Sequence, residues 1–422
     1  MPEPPTLHMR TVMPVNETRL ARDVVAWRRH LHKHPELAFE ERGTAAYVAD
    51  RLRSFGPYVV RERVAGTGVL ADLPGSAGAP VIALRADMDA LPVHETADVS
   101  FRSSVPGKMH ACGHDGHVAM LLGAAALLAR IARSDRHVGV RLLFQPSEET
   151  VGPDGRSGAQ AMIEEGALEG VHSAFALHVE PALPTGTIRL TAGPAMACLE
   201  VFRGTVRGVG GHGARPERTA DPVRMLSAVL TAMESIVSRR VSALDAAVLS
   251  IGRIAGGTTP NVIPSEIEIE GTLRTFTTEV RDLLRRELES ALSISRALGG
   301  DFDLEVRAEN PVLDNDPAAC AVVSEAIARL WPGKKVLAGP YGLLSEDFGF
   351  IAHEVPAAMA MIGCAPAAGP VELHSPELDL DERALMHGVE LLNEIVRVAS
   401  DRLTSGHPTL GAPGPSDDTH EE

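Results

Sequence analysis

The chain has 422 residues, 44% of them hydrophobic, and a formal net charge of −16 with no run of Lys or Arg. That balance argues against nucleic acid or an anionic membrane surface as a partner. No stretch is long and apolar enough to span a bilayer, and the N-terminus lacks a signal-type apolar core. Four scattered cysteines (Cys112, Cys198, Cys320, Cys364) are poor material for a disulfide framework, so a reduced, cytoplasmic setting is expected.

In chain order, the Pro-rich residues 1–16 predict a disordered tail. Apolar Leu20, Val24, Trp27 and Leu31 predict a helix over 17–34, ended by Pro35, with His30, His32 and His34 read as a solvated helix end. From 80 to 180, strands and helices alternate: "PVIALRA", "GHVAMLLGAAALLARIA", "VGVRLLF", "AQAMIEEGAL" and "SAFALH". This predicts an α/β fold with a doubly wound, mostly parallel sheet. Between 193 and 309 the order becomes βαββαβ, the pattern of a ferredoxin-like unit with an antiparallel sheet and an outer edge free to pair with a second subunit. After 310 a helix and the strand "PAAMAMIGC" return to the first style. The expected organisation is a domain of residues 17–192 and 310–402 interrupted by one of 193–309. Residues 403–422, a Pro/Gly/acidic stretch, are expected to form a second disordered tail.

Polar residues cluster where strands end. "VIALRA" runs into Asp87 and Asp89, "VRLLF" into Glu148 and Glu149, "AFAL" into His178, and "PAAMAMIGC" leads to His374. Ligands of open α/β sheets collect beyond the carboxyl ends of the strands. With Cys112 and His114 of "MHACGHDGH" these residues predict a metal site. A thiolate, imidazoles and a carboxylate suit zinc or a similar first-row ion better than calcium or magnesium. Asp115 and His117 are read as helix-capping or outer residues, and His110 is left unassigned. "GVGGHG" at 208–213 satisfies a dinucleotide fingerprint, but prolines follow where a helix should open, so its glycines are read as presenting His212 on a tight loop.

The segments "RRHLHKHPELAFEE", "ALRADMDALPVHE", "MHACGHDGHVAMLLGAA", "LLFQPSEE", "GGHGARPERTADPV", "GGTTPNVIPSEIEIEGTLRTF", "SEDFGF" and "LHSPELDLDE" occur in order from about 27 to 383. Together they resemble the amidohydrolase branch of the dinuclear metallopeptidases, which includes carboxypeptidase G, aminoacylase, hippurate hydrolase and indole-acetyl-amino-acid hydrolases. The resemblance implies that Cys112, His114, Glu149, His178 and His374 bind two divalent ions (zinc, manganese, cobalt or nickel). It implies Glu148 as general base, Asp89 as the group that orients a ligand imidazole, and His212 as stabiliser of the tetrahedral intermediate, often in a neighbouring subunit's site. Asn261 and Arg274 correspond to lid residues that contact substrate, and 193–309 to a lid and dimerisation domain. The implied substrate is a small N-acyl amino acid, and the implied assembly a homodimer. A dipeptidase or carboxypeptidase with the same centre, or a silent metal-binding scaffold, are the alternatives. Leu344 departs from the glycine common before "SEDF" in that family.

Overall fold

The computed structural model describes residues 17–131 and 135–405. The tails expected at 1–16 and beyond 405 lie outside the described residues.

The chain enters through α1 (Glu17–Lys33) and α2 (Arg42–Phe55), followed by β1 (Val59–Val64), β2 (Gly68–Leu73) and β3 (Val81–Asp87). Next come α3 (His114–Leu128), β4 (Gly139–Gln145), α4 (Gly158–Glu164), β5 (Val171–Pro184) and β6 (Ile188–Arg189). A middle section runs β7 (Gly193–Met196), β8 (Cys198–Arg207), β9 (Gly211–His212), α5 (Pro222–Arg240), β10 (Ala247–Ala255), β11 (Val262–Ile263), β12 (Glu266–Thr275), α6 (Thr278–Ala297), β13 (Asp301–Asn310) and β14 (Leu313–Asn315). The chain closes with α7 (Pro317–Leu330), β15 (Val336–Leu337), α8 (Phe348–Glu354), β16 (Ala357–Ala365) and α9 (Arg383–Ser405), so residues 403–405 are helical.

Eight strands make the large sheet, in the order β1-β2-β4-β3-β5-β16-β6-β15. Its centre, β4-β3-β5-β16, is parallel, while β1, β2 and β6 pair antiparallel with a neighbour at the margins. The central strands are buried on both faces, which is why β3 and β16 read as continuous apolar runs. Ile82, Leu84 and Ala86 share a core with α1, α2, α3, α7 and α9. Ala83 faces the opposite core, built with α4 and α8. Helix α3 is buried almost throughout. At Gly123 an added Cβ would come within 2.4 Å of Val389 and 2.9 Å of Val24, so only glycine lets α9 and α1 approach so closely.

The second sheet is antiparallel, in the order β10-β12-β8-β13. Burial alternates residue by residue along β8 and β12. Phe202, Val206, Ile269 and Leu273 pack under Leu284, Leu288 and Leu292 of α6 and Met225 and Val229 of α5, forming a core of its own.

The solvated reading of the α1 histidines fails at His32, which is buried while His30 and His34 are exposed. His32 Nδ1 lies 2.9 Å from Asp115 Oδ2 and its Nε2 3.1 Å from Glu95 Oε1. Arg28, four residues earlier and 1% exposed, donates to Asp115 Oδ2 at 2.9 Å and Glu382 Oε1 at 3.2 Å, and lies 3.4 Å from Asp379. One buried guanidinium thus ties α1 to the start of α3 and to the approach to α9. Burial pulls the His32 pKa down, but Asp115 and Glu95 outweigh it and raise the pKa to about 9.

Arg28→Met strands Asp115 in the core and is expected to cost about 3–5 kcal/mol in denaturant unfolding. The folded-state pKa of His32 exceeds its ordinary 6.5, so its contribution is complete below 6.5 and is lost as pH rises through about 9. The stability gap between wild type and His32→Gln should therefore shrink over that window.

Candidate metal centre

Each polar side chain reaches the carboxyl edge of the large sheet for a local reason. The β3–β5 ladder pairs Arg85 with Ala176, so His178 stands level with Asp87, the last residue of β3, at the carboxyl end of that strand. Gly113, at φ 86°, turns the chain into α3, and a Cβ there would strike Val179 at 2.5 Å. This turn puts Cys112 on one side and His114 at the helix start. His374 is held at φ 63°, with its backbone N–H donating to the Ala111 carbonyl at 2.7 Å.

Two imidazoles are fixed in the same tautomer. His114 Nδ1 donates to the Asp89 carbonyl at 2.9 Å, and His178 Nδ1 donates to the Val179 carbonyl at 2.7 Å. In both, the bond to a carbonyl leaves the Nε2 lone pair free for a ligand. Ligand atoms of Cys112, His114 and His178 lie within 4.8 Å of one another, as do those of Cys112, Glu149 and His374, and those of His114, Glu148 and Glu149. His178 Nε2 is 3.6 Å from the Cys112 sulfur, and His374 Nε2 is 3.3 Å from Glu149 Oε1. His114 Nε2 and Glu149 Oε1 are buried with no hydrogen-bond partner. Buried polar atoms without partners are rare, and two of them facing the same thiol fit a divalent cation.

Asp89 fastens the other half. Its two carboxylate oxygens accept the backbone N–H groups of Glu148 at 3.1 Å and Glu149 at 3.0 Å. Its Oδ1 is also 3.3 Å from His114 Nδ1. Both sides of the centre are therefore gauged from one buried carboxylate.

Behind the candidate ligands, Arg85 donates to Asp87 at 2.6 Å, Glu346 at 2.9 Å, Asp347 at 2.8 Å and the Gln145 side-chain oxygen at 2.9 Å. Burial, then Glu346, Glu149 and Asp347, push the Glu148 carboxyl well above the usual range. Burial, then Glu149 and Glu148, push the Cys112 thiol up. Burial lowers His114, but Asp87, Asp89 and Glu149 outweigh it and carry the pKa to about 10. Burial and the neighbouring His117 lower His178 to about 3.

Asp115 does not cap α3; no side chain does, and Asp115 pairs with Arg28 and His32 instead. His117 spends both ring nitrogens, Nδ1 on Asp87 at 2.5 Å and Nε2 accepting the Val179 N–H at 2.9 Å, so it is a brace for Asp87. His110 is buried with neither ring nitrogen partnered. Cys112, Glu148, Glu149, His178, His374 and Arg274 line one cavity of about 440 Å³. His212 and Asn261 do not line it. They are exposed, His212 on β9 and Asn261 just before β11, where the Gly213 N–H bonds to the Asn261 carbonyl at 2.8 Å. The glycines of "GVGGHG" open no helix, and Gly208 and Gly210 pass too close to neighbouring backbone for any side chain. Sequence reasoning missed Arg85, Glu346 and Asp347; its one usable signal was an arginine inside an otherwise apolar strand.

Residues 83–398 match the model of the family described as peptidase family M20/M25/M40. N-acetyl-L-cysteine deacetylase of Bacillus subtilis (strain 168) is 38% identical over 385 residues, which cover 90% of this chain and 89% of that protein. N-acyl-L-amino acid amidohydrolase of Geobacillus stearothermophilus is 42% identical over 282 residues, 67% of this chain and 75% of that protein. Among solved structures, the YXEP protein of Bacillus subtilis, described as a dinuclear metal binding peptidase, superposes with a TM-score of 0.79 at 32% identity, covering 91% of this chain and 99% of that one.

Asp89→Ala removes the brace from both His114 and the Glu148–Glu149 turn. It is expected to weaken metal binding about 10–100-fold in a calorimetric zinc titration; unchanged affinity would show that Asp89 supports neither side.

Proposed function

Since the chain belongs to peptidase family M20/M25/M40 and is a hydrolase of amide bonds, we propose that it cleaves N-acyl amino acids of the N-acetyl, N-benzoyl or indole-acetyl type to a carboxylate and a free amino acid. The observation that carries this reading is the Glu148–Glu149 turn. Glu149 joins the thiol and the imidazoles, while the Glu148 carboxylate faces the same cavity and, among the described residues, accepts a single long hydrogen bond, 3.4 Å from the Asp347 N–H.

Cys112, His114, Glu149, His178 and His374 would hold two divalent ions (zinc, manganese, cobalt or nickel), which when bound supply a Lewis acid for the amide carbonyl and lower the pKa of water toward neutrality. Glu148 takes the proton from water and returns it to the departing amine nitrogen. Its raised proton affinity, caused by burial and by Glu346, Glu149 and Asp347, suits a base that must later act as an acid. Asp89 keeps Glu148 in place through its backbone N–H. Arg274 lines the cavity and forms no ion pair among the described residues; its Nη1 donates to the Leu343 carbonyl at 3.0 Å, which leaves its other N–H groups to receive the substrate carboxylate.

The antiparallel unit, residues 193–309, would act as a lid and dimerisation domain inserted between 17–192 and 310–402. Its edge strand β10 carries Ile254 51% exposed, and Leu244 in the preceding loop is 97% exposed. The one charge on this edge, Arg253, is answered within the sheet by Glu268 and Glu270, which leaves a mostly apolar edge that can pair with a second copy. A homodimer would give His212 and Asn261 a task that their position outside this chain's own cavity denies them. They would complete the neighbouring subunit's site, with His212 donating to the developing oxyanion.

Glu148→Gln should lower kcat on N-acetyl amino acids by about 10²–10⁴-fold with metal content unchanged by elemental analysis. Loss of the metals as well would make Glu148 a ligand and sink its role as base. His212→Ala should lower kcat about 10²–10³-fold. Mixing Glu148→Gln and His212→Ala subunits should restore activity, because one site of each mixed dimer is then complete.

A further inference from the structure

The cavity has a second wall, away from the ligands. Register across β12, β8 and β13 sets Arg274 opposite Leu199 and Leu199 opposite Asn310. Directly paired residues of neighbouring strands share a face, so these three form one row, and all three line the cavity. The loop before α8 is laced to this row. Arg274 donates to the Leu343 carbonyl at 3.0 Å, the Ala197 N–H to the Leu344 carbonyl at 2.9 Å, and the Tyr341 N–H to the Ala195 carbonyl at 2.8 Å. Leu344 is thereby fixed at the cavity wall as a large apolar side chain left 49% exposed, with Met196 and Tyr341 lining the same space.

Together with Leu199, Met196 and Tyr341 on the same cavity wall, Leu344 forms a shared apolar surface that an apolar substrate group can cover. The charges nearby narrow what that is. Among the described residues, Arg274 is the only Arg or Lys lining the cavity, against Glu180, Glu309, Glu346 and Glu372 beyond the Glu148–Glu149 turn. A substrate whose α-carboxylate rests on Arg274 must lay its side chain on the neighbours of Arg274, which are Leu199 and Leu344. A second carboxylate there would meet leucine and surrounding anions.

We propose that Leu199 and Leu344, with Met196 beside them, form the subsite for the amino-acid side chain, selecting uncharged apolar side chains and rejecting acidic ones. The inference rests on the N-acyl-amino-acid reading above. The subsite desolvates the side chain and, through the surrounding glutamates, disfavours any added negative charge.

The test uses the zinc-loaded full chain and the N-acetyl derivatives of glycine, leucine, methionine, aspartate and glutamate. Leucine and methionine derivatives should exceed the glycine derivative in kcat/KM by about 10–100-fold, and the acidic ones should fall below it. Leu344→Gly should draw the leucine-to-glycine ratio toward one, and Leu344→Lys should raise the aspartate-to-leucine ratio about 10-fold or more. Acidic derivatives turned over as well as leucine, or ratios that neither variant moves, would overturn the subsite. Metal-dependent hydrolysis of N-acetylglycine judges the reaction separately, since glycine has no side chain to lay on this wall. Calorimetric binding of N-acetyl-leucine and N-acetyl-aspartate to the zinc-loaded Glu148→Gln chain gives the preference without turnover. Equal affinities there would also overturn it.

Discussion

Six carboxylates, Asp87, Asp89, Glu148, Glu149, Glu346 and Asp347, converge in or beside one region in which, among the described residues, the buried guanidinium that pairs with them is Arg85. A desolvated excess of negative charge of this size is not tolerated unless protons, imidazolium groups or cations offset it. The fold supplies part of the answer. Arg85 answers Asp87, Glu346 and Asp347, and Asp89 is satisfied by two backbone N–H groups and a histidine. Glu346 is pushed by burial, and by Asp87 and Asp347 against the opposing pull of Arg85, to about 8, and Glu148 is raised as well. What remains, a thiol, Glu149 and three imidazoles whose Nε2 atoms face one another's ligand atoms, is a donor set that a divalent cation completes.

That constraint organises the large sheet. Parallel central strands bring their carboxyl ends to one edge, where β5 sets His178 level with Asp87, the last residue of β3. The two pieces that complete the ligand set, the Cys112–His114 turn and the His374 segment, come from distant parts of the chain. They are joined by the His374–Ala111 backbone bond and, farther back, by Arg28 reaching Asp115 on one side and Asp379 and Glu382 on the other. The antiparallel unit contributes none of the candidate ligands. It offers the row Arg274, Leu199 and Asn310, which suits it to reading the organic part of a substrate.

Strand-end reasoning found the donors because the information is local: an apolar run followed by His, Asp or Glu marks the edge of a buried strand. It did not find Arg85, whose partners Glu346 and Asp347 lie 261 and 262 residues away, nor the Arg28–His32–Asp115 cluster. Arg28 and His32 stand i, i+4 on α1 beside the buried Trp27 and Leu31, so their polar character masked their burial. The antiparallel margins of the large sheet were also hidden, since β1 and β2 are short and β6 pairs over only two residues. The exposure of His212 and Asn261 could not be read from their two motifs, because Gly-rich turns carry no apolar periodicity from which burial can be inferred.

The central claim is that Cys112 binds metal together with the histidines and Glu149. X-ray absorption at the zinc edge of the loaded chain tests it most directly. The account predicts two zinc ions per chain and a sulfur scatterer at about 2.3 Å beside nitrogen and oxygen at about 2.0–2.2 Å, with the sulfur lost in Cys112→Ser. A shell of nitrogen and oxygen alone in the unaltered chain would contradict it.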